Sequence, residues 1–307
     1  MKTEAQTINN IGTKNSKWKL FLKSEFFYNY KRSVLAIIGS IIIISVILIA
    51  IFGPLFTIQD PYNMSEIELN NAYTPPAWIE GGESTFILGT DQQGRDMFSA
   101  IVYGSRVSLV IGIVSTLLSS VLGIALGIIS GYFGGKVDAL IMRIADVMLS
   151  FPTMLIALFV MSVLGRGVVN ILITLTIVGW VKFARTVRGE VLSVKKQEYI
   201  EATKVIGLPN LKIILKHVFP NVLTSIIVLV TMQVGSNILT EATLSFLGLG
   251  VPITRPSLGM LCSNGFDVLY SGMWWVTIFP GLYIMLIVFG INLLGDFLRD
   301  ELNPKLK

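Results

Sequence analysis

The chain has 307 residues, of which 53% are hydrophobic and only 14% are charged, with a formal net charge of +5. Soluble domains carry about 25% charged residues, so the composition excludes a disordered chain and argues against an ordinary water-covered enzyme. The single cysteine, Cys262, excludes an intrachain disulfide and a multi-cysteine metal site. The single histidine, His217, argues against a histidine-based catalytic or metal centre.

Long apolar segments predict an all-α integral membrane protein, because about 20 helical residues cross the hydrocarbon core of a bilayer. Six such segments occupy residues 34–56, 107–130, 147–164, 168–181, 222–239 and 274–294. Only Gly165, Arg166 and Gly167 separate the third from the fourth, which predicts a tight helical hairpin. The first segment follows 33 mostly polar residues and lacks a small-residue cleavage site, so we interpret it as a retained helix rather than a signal peptide.

The distribution of positive charge predicts the orientation of these helices, since Lys and Arg concentrate on the cytoplasmic side. If the N-terminus is cytoplasmic and the chain crosses six times, the C-terminus is cytoplasmic too. All but four of the 24 Lys and Arg residues then lie inside; the four are Arg95, Arg106, Arg166 and Arg255. The same distribution explains the net charge without nucleic acid, because no basic groove with interleaved aromatic residues is present.

An acidic, turn-rich segment, residues 57–104, is predicted to lie outside the membrane. Near its end, Leu88–Leu109 has the apolar spacing of an amphipathic helix lying on the membrane, with Asp91 as its cap. Such a helix could serve as an interfacial anchor or as a docking surface for an extracytoplasmic partner, and both interpretations stay open.

A second outer segment, Thr240–Met273, is rich in glycine and proline and contains the sequence LSFLGLG. At membrane depth, irregular backbone is tolerated only where it is buried in protein or lines a cavity. We therefore expect this segment to form the lip of a translocation path.

The longest inner loop, Lys182–Asn221, carries two short amphipathic patterns. Gly207 and Pro209 are predicted to end the first helix, and Asn210 to cap the second. The apolar face of the first is expected to contain Tyr199, Ala202, Val205 and Ile206, and that of the second Leu211, Ile214, Leu215 and Val218. These faces could dock into a groove of another protein or rest on anionic lipid.

Charged residues near the spans need partners, because a charge at the bilayer centre costs about 2.5–3.5 kcal/mol. Asp138, Arg143 and Asp146 cluster at the inner end of the third span, where an ion pair between Arg143 and Asp146 is the structural interpretation and gating the functional one. Glu241, at the outer end of the fifth span, is either a cavity-facing contact or a buried structural hydrogen-bonding group.

The inner loop resembles the EAA loop of ABC-importer permeases, whose pattern is Glu-Ala-Ala, three residues, Gly, nine residues and Ile-x-Leu-Pro. The matching residues are Glu201, Ala202, Gly207 and Pro220, and the departures are Thr203, His217 and Phe219. The sequences LGTDQQGRD, GYFGGKVDALIMRIADVMLSFP and EATLSFLGLG are also similar to the dipeptide, oligopeptide and nickel permease family, in particular to its C-type subunit. The similarity extends from about Phe26 to Pro304.

The resemblance implies a type I ABC importer permease fold with six transmembrane helices in the cell inner membrane. It divides the chain into an N-terminal tail (1–33), a first helix (34–56), an outer loop (57–104), a five-helix core (105–296) with its EAA coupling loop at about 190–220, and a C-terminal tail (297–307). The implied partners are a second homologous permease, two cytoplasmic ATPases that bind ATP and Mg²⁺, an extracytoplasmic solute-binding protein and membrane lipid. The residues implied to couple to the ATPases are Glu201, Ala202, Gly207, Leu208 and Pro220.

The implied function is uptake of di- or oligopeptides, with no enzyme activity and no cofactor in this chain, which lacks a Walker-type GxxxxGK[ST] sequence. Nickel or another small solute is the alternative cargo, although nickel usually takes soft or imidazole ligands. A stand-alone secondary transporter is a further alternative, but no ion relay is evident. A membrane-bound enzyme would need a catalytic constellation that the sequence does not reveal.

Overall fold

The computed structural model describes residues 25–302 apart from residues 253, 254 and 256. Within these residues every regular element is helical, which confirms the predicted class. The α-helices are α1 Glu25–Arg32, α2 Val34–Phe52, α3 Met97–Phe133, α4 Gly135–Leu149, α5 Thr153–Leu164, α6 Val168–Val194, α7 Glu198–Val205, α8 Asn210–Ile213, α9 Phe219–Phe246, α10 Leu258–Phe266 and α11 Trp275–Leu302. A π-helical turn, Ile214–Val218, joins α8 to α9.

Five stretches of the described chain are long and apolar enough to cross a membrane: those built on α2, α3, α6, α8–α9 and α11. The pair α4 and α5 supplies a sixth if the two are counted as one broken span, because they meet at an angle of 91°. The prediction that residues 147–164 form one continuous span is therefore wrong, because the chain bends within this segment. Pro152 lies at the break, where it provides no backbone N–H and disfavours a helical conformation in the residue before it.

Helix α3 is a single element of 37 residues, about 55 Å long at 1.5 Å per residue. The separate amphipathic surface helix expected at Leu88–Leu109 is therefore wrong, because the residues from Met97 onward continue directly into the span. The cap is Asp96 rather than Asp91, since the Asp96 carboxylate accepts from the Ser99 backbone N–H at 2.8 Å. Asp91 instead pairs with Arg95, and both side chains are only 1% exposed.

The segment before α3 packs onto the start of α11 through Trp275. Its indole Nε1 donates to the Thr90 carbonyl at 3.0 Å, and the ring joins a cluster that includes Met97, Leu258 and Val276. The end of the molecule at Met97 is therefore closed by packed side chains.

Helix α9 also ends here, at the LSFLGLG sequence. Gly248 adopts φ +76°, and two backbone bonds close the helix: Gly248 N–H to Ser245 O and Leu249 N–H to Leu244 O, each at 3.0 Å. This is the Schellman arrangement, for which glycine suits the left-handed position. The chain then returns as α10, which packs against α9 and α11. The predicted helix break is confirmed.

The two ends of the described chain lie together. The Asn29 side-chain amide of α1 donates to the Glu301 carboxylate of α11 at 3.0 Å, and Phe26 and Tyr30 each contact the Phe297 ring edge-on. The predicted cytoplasmic location of both termini stays a prediction.

Candidate coupling loop and translocation cavity

The loop between α6 and α9 is built around a sharp turn at Gly207. This residue has φ +81°, and bonds from Gly207 N–H to Lys204 O (3.0 Å) and from Leu208 N–H to Thr203 O (3.1 Å) end α7 in a second Schellman arrangement. Because a residue with a Cβ is strained at this φ, glycine is the natural choice. The prediction that Gly207 ends the first helix is confirmed.

One face of the loop is buried against α3 and α6. Ile200, Ile213 and Val218 are fully buried in a cluster with Val187 and Val191 of α6. Two polar bonds tie the loop to Tyr132, at the end of α3. The Tyr132 hydroxyl donates to Asn210 Oδ1 at 2.9 Å, and Lys195 Nζ donates to the Tyr132 carbonyl at 2.6 Å. The loop is therefore attached firmly to the ends of two spans.

The rest of α7 is exposed and presents apolar side chains next to the charged Glu198, Glu201 and Lys204. Val205 is 89% and Ile206 77% exposed. We call this surface the coupling patch and define it by Tyr199, Glu201, Ala202, Val205 and Ile206, all of them exposed. The predicted grouping of its four uncharged members on one face is confirmed.

The predictions for the second half of the loop are partly wrong. Leu211 and Leu215 are exposed, while Ile213, which was not expected to face inward, is buried. The π-helical turn adds one residue to a turn of helix and so rotates the side chains by about 100°, which a regular 3.6-residue pattern does not anticipate.

Three residues singled out in this loop lie outside the coupling patch. Asn210 does not cap the second helix: Pro209 holds that position, and the Asn210 side chain accepts from Tyr132. Leu208 packs inward against the buried cluster rather than joining the coupling patch. Pro220 is exposed in the first turn of α9, where no backbone N–H is needed.

Helix α9 carries a polar ladder formed by Gln233, Asn237, Glu241 and Ser245, of which the sequence analysis had singled out only Glu241. All four side chains are buried in the described structure. Their spacing of four residues places them on one helical face, and this was the signal available in the sequence.

Two groups of hydrogen bonds connect the polar ladder to α3. Asn237 Nδ2 donates to Ser115 Oγ at 2.9 Å and to Thr116 Oγ1 at 3.0 Å. The Glu241 carboxylate accepts from Ser108 Oγ at 2.8 Å and from Ser245 Oγ at 2.7 Å, and it is fully buried. The geometry favours the structural interpretation of Glu241 over a contact with a cavity.

A cavity of about 420 Å³ opens beside Gln233 and Asn237 of this ladder, between the α4–α5 break, α6 and α9. Its lining combines apolar side chains with cationic, hydroxyl and amide groups. The lining residues are Leu149, Thr153, Leu175, Val178, Gly179, Val181, Lys182, Arg185, Thr186, Gln233, Ser236, Asn237 and Thr240.

Ion pairs join α4 to α6 next to the cavity. Arg188 binds Asp138 through two bonds of 2.6 Å, and Asp138 also accepts from Ser130. Asp146 pairs with Arg185, so the expected pair between Arg143 and Asp146 is wrong. Arg143 is exposed. The bend between α4 and α5 sets the end of α4 against α6, and this placement gives Asp146 its partner Arg185.

No group of three His, Cys, Asp or Glu side chains suited to a metal ion is found among the residues that the structure describes. The lining of the cavity offers hydrogen-bonding groups and positive charge, supplied mainly by α6 and α9.

The fold and the sequence together define a class. Residues 123–307 match the family described as the inner membrane component of binding-protein-dependent transport systems. The chain belongs to this family and is a multi-pass permease of the inner membrane. Residues 18–76 match the N-terminal transmembrane domain of oligopeptide transport permease C, which places the chain more closely, in the C-type branch.

Individual relatives agree with this placement. The chain is 40% identical over 294 residues to the oligopeptide transport system permease protein of Bacillus subtilis, covering 96% of this chain and 93% of the relative. It is 42% identical to a dipeptide transport system permease protein of Alkalihalophilus pseudofirmus, covering 92% and 90%. It is 39% identical to a glutathione transport system permease protein of Escherichia coli, also covering 92% and 90%.

Among solved structures, the fold resembles an inward-facing form of the MetNI methionine ABC transporter. The TM-score is 0.56 at 19% identity, covering 67% of this chain and 98% of the other. This likeness supports the fold of a type I ABC importer permease.

Proposed function

We propose that this chain is one half of the pore of an ATP-driven importer of di- and oligopeptides. A second, homologous permease forms the other half, two cytoplasmic ATPases bind ATP and Mg²⁺, and an extracytoplasmic binding protein delivers the peptide. Relatives named for dipeptide, oligopeptide and glutathione transport support a peptide cargo over nickel.

The observation that carries the proposal is the exposed coupling patch. Val205 and Ile206 present apolar side chains beside the sharp turn at Gly207, while the other face of the loop is fixed to α3 and α6. Exposed apolar surface gains free energy when a groove covers it. Ala202 allows close approach of a partner helix, and Glu201, which makes no ion pair within the described chain, is free to bind a basic group of an ATPase.

Force applied to the patch passes directly to the spans. The loop is continuous with α6 and α9 and is bound to the end of α3 through Tyr132. Closure of the ATPases on ATP would therefore move these helices together, as a rigid-body switch between inward and outward access.

The experiment replaces Ile206 with Asp in the tagged permease, co-expressed with its ATPases. We expect the ATPases to be lost from the purified complex and peptide uptake to cease, because a carboxylate is costly to bury in an apolar groove. The control is Leu69→Asp, at a residue 73% exposed before α3. If Ile206→Asp retains the ATPases and normal uptake, the patch does not dock them and contact with lipid becomes the better interpretation.

A further inference from the structure

The cavity beside the polar ladder carries an unbalanced positive charge. Two of its lining residues are cationic, Lys182 and Arg185, and none is a carboxylate. Asp146 neutralises Arg185 from the edge of the cavity. Lys182 is exposed and has no ion-pair partner among the described residues, so one positive charge is left for a ligand.

The rest of the wall suits a short peptide backbone. Ser236 of α9 presents an exposed hydroxyl that no described group uses, and the buried Gln233 lies one turn away. Gln233 Nε2 donates to Asn237, which leaves its carbonyl oxygen to accept from a ligand N–H. Leu149, Leu175 and Val178 provide apolar surface, and the volume of about 420 Å³ falls within the usual 300–1,000 Å³ of small-molecule sites.

We propose that this cavity is a cargo subsite in which Lys182 binds the C-terminal carboxylate of the transported peptide. Ser236 and Gln233 bind the adjoining peptide groups. The proposal rests on the proposed function, since it specifies where and by what chemistry the permease recognises peptide cargo. A single exposed lysine gives a contact that can be released, as passage through a pore requires.

The test measures protection of a cysteine placed in the cavity. The full transporter complex is purified with Cys262→Ala, which removes the only native cysteine of this chain, and with Thr153→Cys, at an exposed lining residue that the proposal does not place in contact with the peptide. The rate at which a maleimide alkylates the new thiol is measured alone, with trialanine, and with trialanine whose C-terminus is amidated. We expect trialanine to slow the reaction and the amide to do so far less, because only the free acid offers Lys182 a carboxylate.

Matched variants assign the effect to Lys182. We expect Lys182→Gln to weaken protection by trialanine by up to about fivefold, as loss of an exposed ion pair implies. Lys182→Arg should preserve much of it, since the charge remains. Lys136→Gln removes an exposed charge outside the cavity and should change nothing. Ser162→Cys, exposed on α5 outside the lining, reports any general effect of the peptides.

Several outcomes would overturn the proposal. Equal protection by the acid and the amide would show that the carboxylate is not read. Protection by short-chain phosphatidylglycerol but not by trialanine would assign the site to a lipid headgroup. A Thr153→Cys thiol that never reacts in the complex would show that a partner subunit fills the cavity. Peptide uptake by the unsubstituted complex is measured in parallel: its absence would refute the proposed function, whereas uptake without protection would refute the subsite alone.

Discussion

At the scale of residues, burial decides which polar contacts stabilise the permease. The Arg185 and Asp146 side chains are 49% and 53% exposed, and ion pairs so exposed contribute about 0–1 kcal/mol. Glu241 is fully buried with both carboxylate oxygens hydrogen-bonded, and removing one partner of a buried bond costs about 1–3 kcal/mol. The polar ladder therefore matters more to stability than the more visible ion pair.

We predict that Glu241→Ala lowers the free energy of unfolding by about 1–3 kcal/mol, because the Ser108 and Ser245 hydroxyls lose their acceptor. Thermal unfolding of the detergent-purified permease measures the change. Thr243→Ala, at an exposed residue on the same helix, is the control and should stay within about 0.5 kcal/mol. Equal stability of the two variants would contradict a structural role for Glu241.

At the scale of elements, α3 and α6 pack so closely that three positions on α3 leave no room for a side chain. Gly123, Gly127 and Gly131 repeat every four residues along α3. A Cβ added at Gly127 would lie 2.7 Å from the Ala184 carbonyl oxygen and 3.1 Å from its Cα, both backbone atoms that cannot move aside easily. Small residues at this spacing let membrane helices approach closely, where apolar burial gives no advantage over lipid.

We predict that Gly127→Ala destabilises the permease, since α6 must move away and lose packing along its length. Gly189→Ala, on α6 with nothing within 4 Å of the added Cβ, is the matched control. It should leave stability unchanged or raise it by up to about 1 kcal/mol through helix propensity. Thermal unfolding should therefore move in opposite directions or by clearly different amounts, and equal shifts would contradict the close-packing argument.

At the scale of the whole molecule, contact between α1 and α11 brings both ends of the described chain to one end of the bundle. An even number of crossings explains this, with the broken pair α4 and α5 counted as one span. Together with the bias of Lys and Arg, it supports the proposal that both termini are cytoplasmic.

We predict that green fluorescent protein fused to either terminus is fluorescent in cells, whereas alkaline phosphatase fused to the same position is inactive, because that enzyme requires export. A phosphatase fused within the segment before α3, after Glu80, should be active and serves as the control for export. An active phosphatase at only one terminus would require an odd number of crossings and would refute the topology.

The amino-acid sequence by itself determined the class of this protein: apolar length predicts spans, charge predicts orientation, and the turn at Gly207 follows from the need for a left-handed backbone. Features that depend on local chemistry were thus predictable. The break at Pro152 is a local effect of proline as well, whereas the angle of that bend, the π-helical turn and the partner of Asp146 were not predictable, because each depends on how one helix is placed against another. Only the tertiary structure joined the polar ladder to α3 and opened the cavity beside it, since hydrogen-bond partners more than 100 residues apart meet through packing rather than through sequence spacing.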